Sequence, residues 1–356
     1  MVLPQLGLLG LLSLSIPLIF ATPVRDSPLK SVRSSLELEA RQTGCESLRV
    51  RKEWRELSSS EQAAYHQAVK CLMSTPSRRY PGEDNVVNRA DDFTRTHMLV
   101  NGVAHFTATF LPFHRWFVLQ YETALRSDCG YTGPLPYWDW TIDADSSTGV
   151  PNSPLFDAST GFGGNGRRVV TEVSSRPGRA GYETCVTDGP YANTTLTLGR
   201  TAPDLIYGEH CLSRTFNNGT WDSAGNFLVG DMMASKYYTT SALAPVFEHN
   251  DYDSFEVELE NGAHMAIHNA LRGDMFLEAS PNDPLFYLHH GNVDRIWAKW
   301  QAANPARLTD FSGWKYQNKT VPVSLDDELP VANLSDDRPI VKDYMDIGVL
   351  CYEYSN

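Results

Sequence analysis

Apolar residues recur at helical spacing in several stretches of the chain. In the first, 58–72, Ala, Tyr, Val and Leu side chains share one face, and Ser58 with Glu61 makes a capping-box pattern at its start. Amphipathic spacing of this kind is typical of helices that bury one side against a core. The same spacing predicts further helices over 91–101, 113–126, 251–272 and 284–303.

The stretches between and after these helices have a different character. Residues 141–235 are rich in Gly, Ser, Thr, Pro and Asn, which favours irregular loops with a few short strands. Residues 305–356 carry many Asp and Pro and are predicted to be loop packed back on the core. The pattern as a whole predicts a mainly α fold with long loops.

The N-terminal stretch is set apart by its lack of charge. Residues 1–21 are apolar, contain no charged side chain and end at Ala21, a small residue suited to cleavage, so we predict a signal peptide. Residues 22–44 are polar and are predicted to be a leader or flexible arm. The folded part is then predicted to be a single domain, 45–356, with no further apolar run long enough to span a membrane.

Charge and cysteine content narrow the class of protein. Acidic residues outnumber basic ones, 43 to 30, which argues against electrostatic binding of nucleic acid. The six cysteines are even in number and form no C-x-x-C pair, so three disulfides in a secreted protein are expected. Several pairings are open, and we favour Cys185–Cys211 as a local staple and Cys45–Cys351 as a tie between the ends. Sequons for N-glycosylation start at Asn193, Asn218, Asn318 and Asn333.

Histidine spacing suggests metal binding. His264 and His268 stand four residues apart, which places both imidazoles on one face of a helix. A zinc protease would need Glu directly after the first histidine, but that position is Met265. A third histidine follows at His289 or His290, after a turn that would fold the two helices together.

A second group of three histidines lies earlier in the chain, with His97, His105 and His114 beside two predicted helices. Two groups of three imidazoles on four helices imply a four-helix-bundle core that holds two metal ions. Imidazole suits zinc, copper, iron and nickel. Neither group brings the carboxylate motifs of di-iron bundles, so two adjacent all-histidine sites favour copper.

The segments around these histidines resemble the tyrosinase and catechol oxidase family of type-3 copper proteins, in its short, secreted fungal branch. The resemblance covers about 45–354. It is carried by FLPFHRWFVLQYE at 110–122, PYWDWT at 136–141, ENGAHMAIH at 260–268, SPNDPLFYLHHGNVDRIW at 280–297 and the closing LCYEY at 350–354.

The resemblance implies a ligand set, a cofactor and an activity. Of the adjacent pair the family uses the second histidine, so His289 would pack nearby. The cofactor would be two copper ions, the partners a small phenolic substrate and O₂, and the product an o-quinone. Copper A would be held by His97, His105 and His114, and copper B by His264, His268 and His290.

Several neighbours of the ligands are candidates for supporting roles. Glu260 matches the family glutamate that holds a water near copper B, and is the candidate catalytic residue. Met265, Leu277 and Phe286 are candidates for the substrate pocket, where Phe286 would wall the centre. The gate over copper B is predicted at Phe276 or Leu277. Charged residues that follow the ligands and could lock their helices together are Arg115, Asp294 and Arg295.

The chain departs from the family in three places. Many tyrosinases carry Asn where this chain has Met265, and Met cannot polarise a water, so monophenol hydroxylation is expected to be weak or absent. Val103 stands where several relatives have a cysteine bonded to the neighbouring histidine. The chain stops at Asn356, so we expect no C-terminal shielding domain.

Three classes of function remain open from the sequence. The leading interpretation is an oxidase of o-diphenols, and of o-aminophenols, with a true tyrosinase or a tailoring oxidase of a phenolic metabolite as alternatives. An O₂ carrier like haemocyanin uses the same six-histidine centre. A metal-free structural relative is disfavoured because all six expected histidines are present.

Overall fold

The structure is a computed structural model of the chain. Residues 1–21, 22–44 and Leu277 lie outside its described part, so the predictions made for them have no structural counterpart here. The described residues are 45, 47–172, 180–199, 209–219, 232–234, 236–276 and 278–355.

The predicted helices are present, and polar side chains cap them. The Ser58 hydroxyl accepts the Glu61 N–H, and the Glu61 carboxylate accepts the Ser58 N–H at 2.8 Å, as the capping-box pattern predicts. Asn88 and Asp91 form a second capping box that was not predicted. In chain order the helices are α1 (Ser59–Ser74), α2 (Arg89–Ala104), α3 (Phe110–Cys129), α4 (Trp140–Ala144), α5 (Thr240–Glu248), α6 (Tyr252–Leu259), α7 (Met265–Leu271) and α8 (Leu285–Ala302).

The single helix predicted over 251–272 is wrong in one respect, because a π-helical turn at Glu260–His264 divides it. The backbone of Gly262 leaves helical geometry there, with φ −89° and ψ −107°. Such turns insert an extra residue into the helical repeat and are frequent at functional sites. The turn changes the face on which α7 presents its side chains relative to α6.

A small parallel sheet brings distant parts of the chain together. Strand β1 (Arg49–Glu53) lies between β2 (Pro136–Tyr137) and β7 (Tyr352–Tyr354), and Arg49 stands opposite Tyr352. This sheet was not predicted. The short strands expected in 141–235 are two antiparallel pairs, β3 (Arg167–Glu172) with β4 (Ala180–Cys185), and β5 (Thr195–Leu196) with β6 (His210–Cys211).

Three disulfides connect helices, strands and loops that are distant in the sequence. Cys45–Cys351 and Cys185–Cys211, the two pairings favoured from the sequence, are both formed. Cys71–Cys129 joins α1 to α3. The core between the helices is rich in fully buried aromatic side chains. Among the described helices, none has the length and apolar character needed to cross a membrane.

Candidate metal centre

Seven buried histidines lie in two groups, and within each group the metal-binding atoms are within 4.8 Å of one another. The first group comes from α2, the residue that ends it, and α3. The second comes from the π-helical turn, α7 and α8. The groups are His97, His105 and His114, and His264, His268, His289 and His290.

The two groups face each other and form one continuous centre. The rings of His114 and His290 stack at 4.1 Å between centroids, with an angle of 11° between their planes. His105 and His264 lie 6.3 Å apart. Helices α3 and α8, which carry the stacked pair, pack directly on one another, so the helix packing brings the two predicted ligand sets together.

Backbone carbonyls orient most of these imidazoles. In each such contact the ring Nδ1–H donates, which leaves the lone pair of Nε2 free to bind a metal ion. The contacts are His97 to Glu278 at 2.6 Å, His105 to Asn101 at 3.2 Å, His114 to Phe110 at 2.8 Å, His264 to Glu260 at 3.0 Å, and His268 to Met275.

The Nε2 atoms fit a metal centre. Within the described part of the chain, the Nε2 atoms of His97, His114, His264 and His290 are buried without a hydrogen-bond partner, and so is the Nε2 atom of His289. An unpaired buried acceptor costs about 1–3 kcal/mol, a cost that a bound metal ion removes. Burial lowers the pKa of His97 and of His268 to about 4, so the imidazoles are neutral near pH 7, as metal ligation requires.

His289 differs from its neighbours in the position of its proton. The indole N–H of Trp140 donates to its Nδ1 at 3.2 Å, so the ring proton belongs on Nε2. No lone pair is then left for a metal ion. The ring instead packs flat against that of His264, at 5.3 Å and 14°. This geometry favours His290 over His289 as the ligand from α8.

A cleft of about 240 Å³ opens onto the centre. Met265 lines it, together with the aromatic rings of Phe106 and Phe276, which are 49% and 40% exposed. The guanidinium of Arg272 stacks on Phe276 at 4.5 Å. The cleft therefore offers a flat aromatic molecule apolar walls beside the imidazoles.

Phe286 lies beneath the centre and not in the cleft. Its ring is fully buried, 4.2 Å from that of His290 and 5.2 Å from that of His97, so it contacts both groups. Phe276, one of the two predicted gate residues, lines the cleft and is partly exposed, and its role as a gate stays a prediction. The alternative gate, Leu277, lies outside the described residues.

Glu260 is buried, and its carboxylate is bound to the backbone. Both of its oxygens lie 2.9 Å from the N–H of Phe106, the residue after His105. Burial raises the pKa of Glu260 to about 7. Burial and the neighbouring Glu260 raise the pKa of Glu256 well above its usual range. Glu260 therefore links the second histidine group to the loop that carries the first.

Of the three charged residues after the ligands, Arg115 and Asp294 join two ligand helices, whereas Arg295 contacts a residue outside them. Arg115, on α3, forms a buried ion pair with Asp294, on α8. Arg295 pairs with Asp139 at 3.1 Å, which holds α8 to the start of α4. Arg51, which was not singled out in the sequence, also contacts Asp294 at 3.2 Å. Its position on β1 gave no local signal of this contact.

Phe106 was also missed, although it directly follows a histidine of the first group. Its backbone takes a left-handed conformation, with φ +57°, which is uncommon for a residue other than glycine. The bond from its N–H to Glu260 stabilises this conformation. The sequence does show an aromatic residue directly after His105, which could have marked Phe106 as a candidate. Its backbone conformation could not be predicted, because it depends on a partner 154 residues away.

The other three histidines have protein partners. His66 contacts the Tyr191 hydroxyl at 2.9 Å and the Thr160 carbonyl at 3.2 Å. His210 contacts the Asp274 carboxylate at 3.0 Å, and His249 pairs with Glu258.

Comparison with known proteins agrees with the geometry. The model for the common central domain of tyrosinase matches residues 87–303. Tyrosinase-like protein phomQ1 of Diaporthe leptostromiformis is 40% identical over 324 residues, which cover 87% of this chain and 78% of that protein. N-acetyl-6-hydroxytryptophan oxidase ivoB of Emericella nidulans is 32% identical over 296 residues, covering 74% and 77%.

Among solved structures, a polyphenol oxidase variant from Thermothelomyces thermophila superposes with a TM-score of 0.73. It is 31% identical in sequence, and the match covers 92% of this chain and 94% of that one. The match therefore extends over most of both chains.

Proposed function

Because the chain belongs to the tyrosinase family of type-3 copper proteins, we propose that it uses O₂ to oxidise o-diphenols, and o-aminophenols, to the corresponding quinones. Monophenol hydroxylation is weak or absent in this proposal. The observation that carries it is the cleft, where Met265 stands beside the copper centre.

The ligand assignment is part of the proposal. His97, His105 and His114 hold one copper ion, and His264, His268 and His290 hold the other. The dinuclear copper supplies O₂ binding and accepts the electrons of two o-diphenols for each O₂ reduced to two waters. The chain holds the imidazoles neutral and oriented, and Phe286 closes the buried side of the centre.

The cleft residues account for the proposed substrate preference. The rings of Phe106 and Phe276 with the side chain of Met265 surround a phenol ring with apolar atoms. Hydroxylation of a monophenol requires removal of a less acidic proton, and Met265 cannot help a water accept it. The Glu260 carboxylate accepts the Phe106 N–H. Position 265 offers no second polar side chain that could help Glu260 to orient a water molecule.

Export from the cell is also proposed. Three disulfides persist in oxidising compartments, and the uncharged stretch 1–21 has the composition of a signal peptide. Cleavage at Ala21 would release the remainder of the chain.

A tailoring oxidase is a second candidate. One relative is named as an oxidase of N-acetyl-6-hydroxytryptophan, a hydroxylated aromatic larger than catechol. The half-exposed rings at the cleft mouth leave room for such a substituent outside the centre.

Substrate preference is tested on copper-loaded protein by oxygen uptake with tyrosine, tyramine, catechol, 4-methylcatechol, o-aminophenol and 6-hydroxytryptophan. We expect rapid uptake with catechol and 4-methylcatechol, and little with tyrosine or tyramine. Rapid tyrosine oxidation without a lag would overturn the proposed preference. Uptake only with the hydroxyindole would favour the tailoring oxidase.

The ligand assignment is tested by a matched pair of adjacent variants. His290→Gln should lose about one copper per chain, whereas His289→Gln should keep both, because a glutamine oxygen can still accept the Trp140 N–H. Copper is measured by elemental analysis of folded protein. Full copper content in His290→Gln, or loss of copper in His289→Gln, contradicts the assignment.

A further inference from the structure

The segment between α7 and α8 orients one imidazole from each histidine group. We call residues 273–276 and 278–283 the bridging segment. The carbonyl of Met275 accepts the Nδ1–H of His268, and that of Glu278 accepts the Nδ1–H of His97 at 2.6 Å. One short piece of chain therefore sets the ring orientation of a ligand to each copper.

The other oriented ligands do not depend on this segment. Each of them donates to the carbonyl four residues earlier in its own chain segment, so the local backbone suffices. These are His105, His114 and His264. The bridging segment is thus the place where a distant part of the protein can act on the centre.

Asp274 attaches the bridging segment to the loop around β6. Its fully buried carboxylate accepts the Ser213 N–H at 2.7 Å and contacts His210 Nε2 at 3.0 Å, while its own N–H donates to the Ser213 carbonyl at 2.9 Å. The contact is close. A Cβ on Gly273 would stand 2.1 Å from the Ser213 oxygen, so a larger residue there would separate the two backbones.

The loop that Asp274 contacts is itself firmly held. The Cys185–Cys211 disulfide joins β4 to β6, just before Ser213. Arg214 forms a fully buried ion pair with Asp283, at 2.6 and 2.9 Å, so the far end of the bridging segment is fixed to the same loop. Both ends of the segment are therefore anchored to one disulfide-bonded element.

We propose that Asp274 is a positioning residue of the copper centre, which holds the bridging segment so that the lone pairs of His97 and His268 face their metal ions. The proposal rests on the ligand assignment given above. Loss of its bonds to Ser213 and His210 lets the segment move, and both imidazoles turn with the carbonyls that hold them. Groups bonded directly to a metal ligand typically change metal affinity about 10- to 100-fold when replaced, and Asp274 acts through such a group, the carbonyl of Met275.

The test is Asp274→Asn, which keeps the shape of the side chain but turns one acceptor oxygen into a donor. Cu(I) affinity is measured by competition with bicinchoninate, and we expect it to fall about tenfold at both sites. After oxidation, uncoupled Cu(II) should appear in the EPR spectrum, because misdirected imidazoles no longer hold a spin-coupled pair. Asp143→Asn is the matched control: Asp143 is buried, accepts from Trp138 and Ser153 and forms an ion pair with Arg55, but it contacts no ligand.

Each outcome decides the matter. Wild-type copper affinity in folded Asp274→Asn, weakening of one copper alone, or an equal loss in Asp143→Asn overturns the proposal. If Asp274→Asn does not fold, His210→Leu removes one contact and should show a smaller loss at both sites, while unchanged affinity would overturn the proposal. Normal copper binding in His97→Ala and His268→Ala would instead overturn the ligand assignment.

Discussion

Met265 is the residue whose chemistry most limits the proposed reaction. It directly follows His264 and lines the cleft, where a substrate hydroxyl would arrive. Its thioether is a weak acceptor and cannot orient a water as an amide can. The buried Glu260 accepts the N–H of Phe106, and position 265 offers it no polar side chain as a second partner. We therefore expect the side chain at this single position to control whether a phenol proton can be removed.

Met265→Asn should raise the rate of tyramine hydroxylation relative to 4-methylcatechol oxidation by at least about tenfold, because a fully positioned general base contributes about 100- to 10,000-fold. The ratio of the two kcat/KM values is the measurement. Met265→Leu is the control, since it changes the side chain without adding an amide, and should leave the ratio unchanged. An equal ratio in both variants would leave Met265 without the role proposed here.

At this scale, the histidines could be predicted and their orientation could not. The four-residue step from His264 to His268 is a local property of the sequence. The Trp140 N–H that assigns the proton of His289 comes from 149 residues away, so only the folded chain reveals it. The contact from Glu260 to Phe106 joins residues 154 positions apart in the sequence and was missed for the same reason.

Helices and strands are joined at one buried charged network. Arg51 on β1 binds Glu122 on α3 at 2.8 Å and Asp294 on α8 at 3.2 Å, and its guanidinium lies 3.6 Å from the ring of Tyr352 on β7. The Tyr352 hydroxyl donates to Asp294 at 2.6 Å. Burial opposes ionisation, but Arg115 and Arg51 hold the pKa of Asp294 below its usual range.

Asp294→Asn should lower the free energy of unfolding at pH 7 by about 3 kcal/mol, because it leaves buried guanidinium groups short of a counter-charge. A carboxylate with a lowered pKa stabilises the fold above its unfolded-state pKa, about 4, and less as the pH falls through the lowered value. The difference in unfolding free energy between wild type and Asp294→Asn should therefore become smaller below about pH 4. Urea denaturation of both proteins at pH 7 and below about pH 4 measures this difference.

The control is Asp327→Asn, which removes the partly exposed ion pair with Lys315 and should cost under about 1 kcal/mol. If Asp327→Asn costs as much as Asp294→Asn, the buried network is not the cause.

The helices were the elements that the sequence could predict, because apolar periodicity is local. The pairing of β1 with β7 joins Arg49 to Tyr352, and no spacing rule extends over such a separation. The break at Gly262 was missed because the apolar pattern continues across it. What could not be predicted therefore depended on contacts between distant segments or on one backbone conformation.

The chain as a whole is closed by disulfides of very different loop length. Cys45–Cys351 spans 306 residues, and Cys185–Cys211 spans 26. A longer closed loop removes more conformational entropy from the unfolded chain, by about 0.6 kcal/mol for each doubling. The long disulfide is therefore expected to contribute more to global stability, whereas the short one supports the bridging segment.

Replacing Cys45 and Cys351 by Ser should lower the free energy of unfolding by about 2 kcal/mol more than replacing Cys185 and Cys211. Chemical denaturation of the two double variants provides the comparison. Copper affinity should follow the opposite order, since the short disulfide anchors the loop that holds Asp274. Equal effects on both measurements would show that loop length and local anchoring do not separate the two bonds.

The parallel pairing of β1 with β7 has a mechanical consequence. Strands that run in the same direction are loaded in shear when the chain is pulled from its two ends, so their hydrogen bonds resist together. While Cys45 and Cys351 remain bonded, tension passes from one to the other through sulfur instead, and the residues between them, which include β1, carry none of it. Reduction of that one bond would transfer the force to the sheet and then to the helices that hold the histidines.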